Sequence, residues 1–413
     1  MKRKTLSLAL AAALALSLLG SAALAAESGA PETAQPPAEE YIPDPVGSIT
    51  FGNLSRRMHE GNLQIRSLQE NIDILEEIDY ESMKEELRKQ LNQIARAQWM
   101  MTEFGQSGTL AYEHMDEAYA AVREQFDAIK DGDMQSDNAD TVRQLKNLQN
   151  QIVMAGESTY IALAAMELQE DGLQRQLTAL DRQLTELELR YELGHISSQT
   201  LKQAQAGRTA LASGLDTLRM NLNTYKGQLE LLIGADITGE LRLKALPSVS
   251  GEDLSGMDPE KDLETAKANS WDLYQAAETM KDELDTYNGY GGDAAANYAT
   301  VSDGYKRARH NWLSAKYTYD NTVQNFELSL RNLYLKVKDC KQVLDAARTA
   351  LAVEQDNCAA ARLKQSQGTI SQNALLEAED KVTEAREKVS GAENDLFSAY
   401  NTYRWAVDCG IIN

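Results

Sequence analysis

Between Ala179 and Ile233 the chain carries an apolar pattern that admits one local fold. Leu173, Leu177, Leu180, Leu184, Leu187 and Tyr191 are spaced alternately four and three apart, the seam of a coiled coil. After an interruption, Leu211, Leu215, Leu218, Leu222, Tyr225, Leu229 and Leu232 resume the alternation. The interruption is Tyr191-Glu-Leu-Gly-His-Ile-Ser197. Gly194 there can take the left-handed conformation that ends a helix, and Ser197 can offer its oxygen to the first amides of the next. The spacing predicts a helical hairpin with a sharp tip, whose long arms need partners because isolated helices are marginal in water.

The device returns at Lys364-Gln-Ser-Gln-Gly-Thr-Ile-Ser371. Beyond it Leu375, Ala378, Val382, Ala385, Val389, Ala392, Leu396, Ala399, Tyr403 and Ala406 hold the same alternation. Placing Gly194 on Gly368 also matches Ile196 with Ile370, Ser197 with Ser371, Leu201 with Leu375, Leu222 with Leu396 and Tyr160 with Tyr334. Heptads alone would align leucines and alanines, but not a Gly-x-Ile-Ser core at the same point of two hairpins. The expectation is an internal duplication.

The remaining segments fit around these hairpins. Residues 1–25 read as an export signal: basic Lys2, Arg3 and Lys4, an apolar core from Leu6 to Leu19, and the small-residue site Ala23-Leu-Ala25. Residues 26–47, with Pro31, Pro36, Pro37, Pro43 and Pro45, read as an extended leader. The first repeat is placed at 48–240, a linker at 241–257 and the second repeat at 258–413. Within the first repeat a helix is expected from about Ile49 to Trp99 and another from Leu110 to Ile129. A polar turn follows over Lys130–Asn138, and the long arm starts near Ala139. In the second, a helix runs from Asp258 through Trp271 and Leu284, and the long arm occupies about Gly304 to Gln367.

Charge and chemistry exclude several functions. The formal charge is −22, and loss of Lys2, Arg3 and Lys4 with the signal takes it to −25. A surface so acidic opposes nucleic acid, whose phosphates need cations. Cys340 and Cys358 fall on the seam Val337, Cys340, Leu344, Ala347, Leu351, Cys358, Ala361. They would lie ~27 Å apart on one helix at 1.5 Å per residue, so they read as small buried hydrophobes rather than a disulfide. His59, His114, His195 and His310 are scattered, and Glu113, His114 and Glu117 form a trio of the kind acidic surface helices produce routinely. No cofactor, metal or catalytic site is expected, and the chain is read as a non-enzyme.

Two tandem hairpins with basic/aromatic-x-x-Gly-x-Ile-Ser tips resemble the outer-membrane efflux protein (TolC-like) family. The carrying segments are Arg190–Ser197, Tyr225–Gly234 and Lys364–Ser371, supported by the openings Ile49–Leu54 and Asp262–Ser270, and the likeness spans most of residues 48–410. It implies an all-α bundle of the α-barrel type, a homotrimeric conduit, and tips that dock an adaptor (membrane fusion) protein working with an inner-membrane pump. Arg190, Tyr191, Gly194, Ile196 and Ser197, with Lys364, Gly368, Ile370 and Ser371, would then face the adaptor. The second tip departs from the pattern, with Lys364-Gln365 where the first has Arg190-Tyr191.

The family also carries a pair of membrane strands in each half, between the first helix and the long arm. A strand of that kind needs ~9–11 alternating residues. Residues 287–303 hardly hold two, and residues 104–138 read as a short helix between loops, so the membrane strands are expected to be absent or vestigial. Glu377, Glu379 and Asp380 crowd the second tip; acids of this kind usually form a solvated face. Their sharper reading is a cation-selecting constriction. The resemblance places the exported chain in the cell envelope, at the outer membrane. The rival reading is a structural coiled-coil scaffold of the envelope without transport.

Overall fold

The computed structural model describes residues 44–45, 47–295 and 302–412; the signal at 1–25 and nearly all of the leader at 26–47 lie outside them. The chain divides into two units, one containing Ser67–Lys146 and the other Pro43–Arg66 with Asn147–Asn413. The larger unit holds the two long helical hairpins expected from the sequence, each served by a short helix that was not expected.

The first hairpin is built from α5 (Asp133–Glu192) and α6 (Ser198–Leu232), the second from α11 (Asp303–Ser366) and α12 (Gln372–Cys409). Every seam position expected on α12, from Leu375 to Ala406, is buried or half-buried. On α6, Leu215, Leu218, Leu222 and Leu229 are buried but Tyr225 is exposed. A straight helix turns every 3.6 residues, so a strict 3.5-residue pattern drifts off the contact face. Cys358 is buried and Cys340 half-buried, and both are free thiols; burial pushes the Cys340 thiol up.

Ahead of α5 the unit opens with β1 (Ser48–Ile49), α1 (Phe51–Gly61) and the start of α2 (Leu63–Glu76). The single helix expected from Ile49 to Trp99 is therefore broken, first at Asn62. The Asn62 Oδ1 accepts from the N–H groups of Gln64 and Ile65 at 2.9 and 3.0 Å, which starts a new helix at the expense of the old. Its Nδ2 donates to Leu232 O at 3.0 Å, capping the end of α6.

The second half repeats the arrangement. After β2 (Arg242–Leu243) and the short α7 (Gly251–Ser255), α8 (Pro259–Asn269) and α9 (Trp271–Gly289) are separated by Ser270 alone, where the sequence pattern predicts one continuous helix. The Ser270 Oγ accepts from Leu273 N–H at 3.3 Å, and Asn269 Nδ2 caps α12 through Val407 O and Asp408 O at 3.1 and 3.0 Å. In both halves an 11-residue helix ends on an amide that ties it to the returning arm.

Two cores result. Around Ile49, Leu54, Met58, Val153, Tyr160, Leu163, Leu222 and Leu229 the first hairpin packs on α1. Tyr160 is fully buried; its hydroxyl donates to Lys244 O at 2.6 Å and accepts from Lys244 N–H at 3.0 Å, while Phe51 meets its ring edge-on at 5.6 Å. Those bonds hold β2 parallel to β1, with Ser48 opposite Arg242 and Ile49 opposite Leu243. The second core gathers Leu263, Ala266, Phe326, Leu330, Val337, Leu344, Leu396 and Tyr403.

At the end of α6, Glu230 is buried and accepts from the N–H groups of Thr238 and Gly239 at 2.6 and 2.7 Å and from the Thr238 hydroxyl at 2.7 Å. Burial pushes its carboxyl up, but the donors from Gly239 and Thr238 outweigh burial and hold it below its ordinary value. A depressed carboxylate stabilises the fold above its unfolded-state pKa and loses that contribution as pH falls through the folded one. Glu230→Gln is expected to cost about 1–3 kcal/mol near neutral pH, because two N–H donors lose a charged acceptor. Its urea midpoint should also fall less steeply than the wild type's as the solution is acidified through the carboxylate range.

The smaller unit is helical as well. It contains the end of α2, α3 (Tyr80–Glu103), α4 (Leu110–Asp131) and the first turns of α5. Asp79 caps α3 by accepting from Ser82 N–H at 3.0 Å, the second break in the helix expected to reach Trp99. The polar stretch Lys130–Asn138 is not a turn of that length. Gly132 (φ +89°) alone interrupts the helices, and Asp133 begins α5, where its charge faces the helix N-terminus. Helix α4 and the first residues of α5 thus occupy the segment 104–138 beyond the turn at 104–109. In the other half α9 ends at Gly289 and α10 (Gly292–Ala295) follows. The strands among the described residues are the two-residue pair β1 and β2, and no described helix is long and apolar enough to cross a membrane.

Candidate functional site

The two tips are built by the same hydrogen bonds. At the first, Gly194 takes φ +73°, its N–H donates to Tyr191 O at 2.9 Å, and His195 N–H donates to Arg190 O at 2.8 Å. Ser197 Oγ then accepts from Thr200 N–H at 3.2 Å. At the second, Gly368 takes φ +72°, its N–H donates to Gln365 O at 2.8 Å, Thr369 N–H donates to Lys364 O at 2.9 Å, and Ser371 Oγ accepts from Ala374 N–H at 3.2 Å. Each of these backbone and capping bonds has its counterpart at the matching position of the other tip, and the second adds the Thr369 hydroxyl, which donates to Lys364 O at 2.8 Å. The left-handed glycine closes the ascending helix and the serine opens the descending one, so the turn needs no outside partner. A Cβ on either glycine would meet nothing within 4 Å, so the glycines serve the backbone rather than a neighbour.

Side chains distinguish the two. Ile196 and Ile370 are half-buried under their turns. Arg190 is paired with Glu186 one turn below it, and Tyr191 is exposed rather than in the seam. Lys364 is exposed in the last turn of α11, where a cation suits the helix C-terminus. Apolar side chains that the heptad pattern does not single out also reach solvent here: Leu189, Leu193 and Leu363. Their signal is in the sequence, as leucines that fall between seam positions close to a turn.

The tips lie together because α5 and α12 run antiparallel in a fixed register. Glu157 on α5 is buried and accepts from Asn401 Nδ2 at 2.8 Å and Trp405 Nε1 at 2.6 Å on α12. Farther along, Arg175 Nε donates to Glu387 at 2.7 Å, Arg182 pairs with Asp380, and Asn373 donates to Glu186 at 3.4 Å. Arg175 and Arg182 stand one heptad apart on α5, as Asp380 and Glu387 do on α12. This ladder ends at the tips and sets them side by side.

It also determines the surroundings of the acids. Asp380 is engaged by Arg182, and Glu379 accepts from Arg362 at 3.0 Å; that hydrogen bond holds the Arg362 guanidinium above its ordinary value. Glu377 is exposed. The trio Glu113, His114 and Glu117 lies on α4, with His114 Nδ1 3.5 Å from Glu117. Among the described residues no group of three or more His, Cys, Asp or Glu side chains is placed to hold a metal ion.

No protein-family model and no curated protein matches the chain. Among solved structures, the outer-membrane channel OprN aligns with 87% of this chain and 90% of its own, at 14% identity and a TM-score of 0.53. The chain has the TolC-like fold. The outer membrane protein VceC from Vibrio cholerae aligns over 87% of this chain and 96% of its own, at 12% identity and a TM-score of 0.48. CusC aligns over 86% and 91%, at 12% identity and 0.49. The likeness to OprN holds at the level of fold: α-helical, with two long hairpins.

Proposed function

We propose that this protein is a non-enzymatic envelope component of an efflux or secretion system. Copies of the chain, three by the resemblance, would line a helical conduit with their arms. The paired tips would dock an adaptor (membrane fusion) protein serving an inner-membrane pump. The observation that carries this reading is the pair of identically hydrogen-bonded tips, set side by side and bearing exposed Leu189, Tyr191, Leu193 and Leu363 with basic Arg190 and Lys364. Two turns of the same backbone geometry, with a leucine and a basic residue at matching positions (Leu189 with Leu363, Arg190 with Lys364), suit a partner that reads both hairpins alike. The repeats at 48–240 and 258–413 are then two copies of one docking plan in the cell envelope. Glu377, more open than its paired neighbours Glu379 and Asp380, would contribute most to any cation-selecting constriction.

A photo-crosslinking residue at position 193 or 363, in producing cells, is expected to capture an adaptor-class protein from both tips. Capture from neither, with crosslinks only to wall-synthesis proteins, would favour the scaffold. That second reading draws on α4, which puts a helix over Leu110–Asp131, in the segment where the resemblance implies membrane strands.

A further inference from the structure

The turn between α3 and α4, Gly105-Gln-Ser-Gly-Thr109, is flanked by large apolar side chains that stand in solvent. Phe104 is 80% exposed, Leu110 74%, Trp99 63% and Met100 51%. From Ala97 to Tyr112 the only formally charged residue is Glu103, whereas a quarter of the whole chain is charged. The turn is also built to hold these side chains outward. Phe104 N–H donates to Met100 O at 3.1 Å, Gln106 N–H to Met101 O at 2.8 Å, and Gly105 takes φ +68°. Thr109 closes the other side, its hydroxyl donating to Gln106 O at 2.9 Å and accepting from Tyr112 N–H at 3.3 Å. Hydrogen bonds that fix the turn keep the apolar side chains from folding back onto the helices.

We infer that this tip inserts into the interfacial layer of a lipid bilayer. A protein interface enriches arginine among its aromatic contacts, and the stretch from Ala97 to Tyr112 holds no arginine or lysine. The spacing of the residues suits lipid. Phe104 lies beyond Trp99 by ~7.5 Å along the helix axis at 1.5 Å per residue. That matches the ~5–10 Å to which interfacial elements bury their apolar faces. Trp99 then sits at headgroup level, where an amphipathic indole is favoured, with Phe104 and Leu110 reaching the acyl boundary. Gln106, Ser107 and Thr109 keep the turn from passing deeper. The charge near the tip, Glu103, Glu113, Asp116 and Glu117 against Arg96, is net negative and disfavours anionic headgroups, so attachment is apolar and directed to neutral lipid. This inference does not rest on adaptor docking.

Flotation of the secreted chain, after removal of residues 1–25, with phosphatidylcholine vesicles tests it. The wild type is expected to float with the vesicles, equally well in high salt, and less well when phosphatidylglycerol is mixed in. Trp99→Ser with Phe104→Ser and Leu110→Ser should lower the partition coefficient ~10-fold or more, from the lost apolar burial, with helical circular dichroism unchanged. Should the triple variant fail to fold, Phe104→Ser alone alters a side chain that touches almost nothing, and a several-fold loss is still expected. Failure of the wild type to float, or flotation indifferent to these substitutions, overturns the inference. So does a triple variant that floats normally but loses self-association, which would make a second copy the occupant.

Discussion

Gly410→Ala is expected to be among the most damaging single-methyl additions to this chain. Gly410 closes α12 at φ +65° and is pressed on the break between α8 and α9, where an added Cβ would stand 2.7 Å from Asn269 C and closer still to Ser270. Left-handed strain costs about 1–2 kcal/mol for an L residue, and displacing packed backbone adds about 1–3 kcal/mol. A loss near 3 kcal/mol should follow, read as a lower urea midpoint at unchanged slope. Gly234→Ala should behave alike, since its Cβ would stand 2.6 Å from Gly61 C at φ +66°. Gly194→Ala and Gly368→Ala are the controls. Their φ angles are nearly the same, but their surroundings are open, so only the strain of about 1–2 kcal/mol remains. Equal losses at all four positions would show that backbone conformation alone, and not the docking of short helix on returning arm, sets the requirement for glycine.

The contrast between these glycines marks what can be read from the sequence. Gly194 and Gly368 announce themselves because each interrupts a heptad run and is soon followed by a capping serine. Gly234 also closes a visible run, but its tight contact is with Gly61, on a helix far back in the chain, and has no local signal. Asn62 and Ser270 escape notice for a related reason. Each breaks a helix by substituting one side chain for a few backbone bonds, and the apolar periodicity passes through without losing a beat. The halves also conceal their likeness. Their long arms correspond when Gly194 is laid on Gly368, but that register does not bring the short helix from Thr50 to Asn62 onto the one from Asp258 to Ser270, which needs a larger shift. No single ungapped alignment shows both. At the tips the heptad pattern identifies the turn and its polar residues. It passes over Leu189, Leu193 and Leu363, because leucine outside a seam carries no periodic signal of its own. The acids are legible as a cluster; their arginine partners, supplied from α5 and α11, are not.

Corresponding positions in the two halves solve one packing problem in opposite ways, and this supports the second large prediction. In the first core Met58 of α1 is fully buried against Gly156 of α5, where a Cβ would stand 2.6 Å from the Met58 methyl carbon. In the second core the positions that correspond are Ala266 of α8 and Leu330 of α11, both essentially without exposure. The short helix supplies the large side chain in one half and the long arm supplies it in the other, with the total filling roughly kept. Gly156→Leu is therefore expected to cost about 3 kcal/mol by overpacking, although leucine favours the helix by about 0.8 kcal/mol. Met58→Ala should cost about 2–4 kcal/mol through the cavity it leaves. Combined, the substitutions import the arrangement of the second half, and the pair should recover at least about 2 kcal/mol relative to the sum of the singles. Urea titration of the four proteins measures that coupling. Simple additivity would mean that the short helices hold their arms by unrelated contacts. A recovery of the expected size would mean that one contact fixes the height of both hairpins, so that two tips with the same backbone hydrogen bonds stand at the same level, as the proposed docking requires.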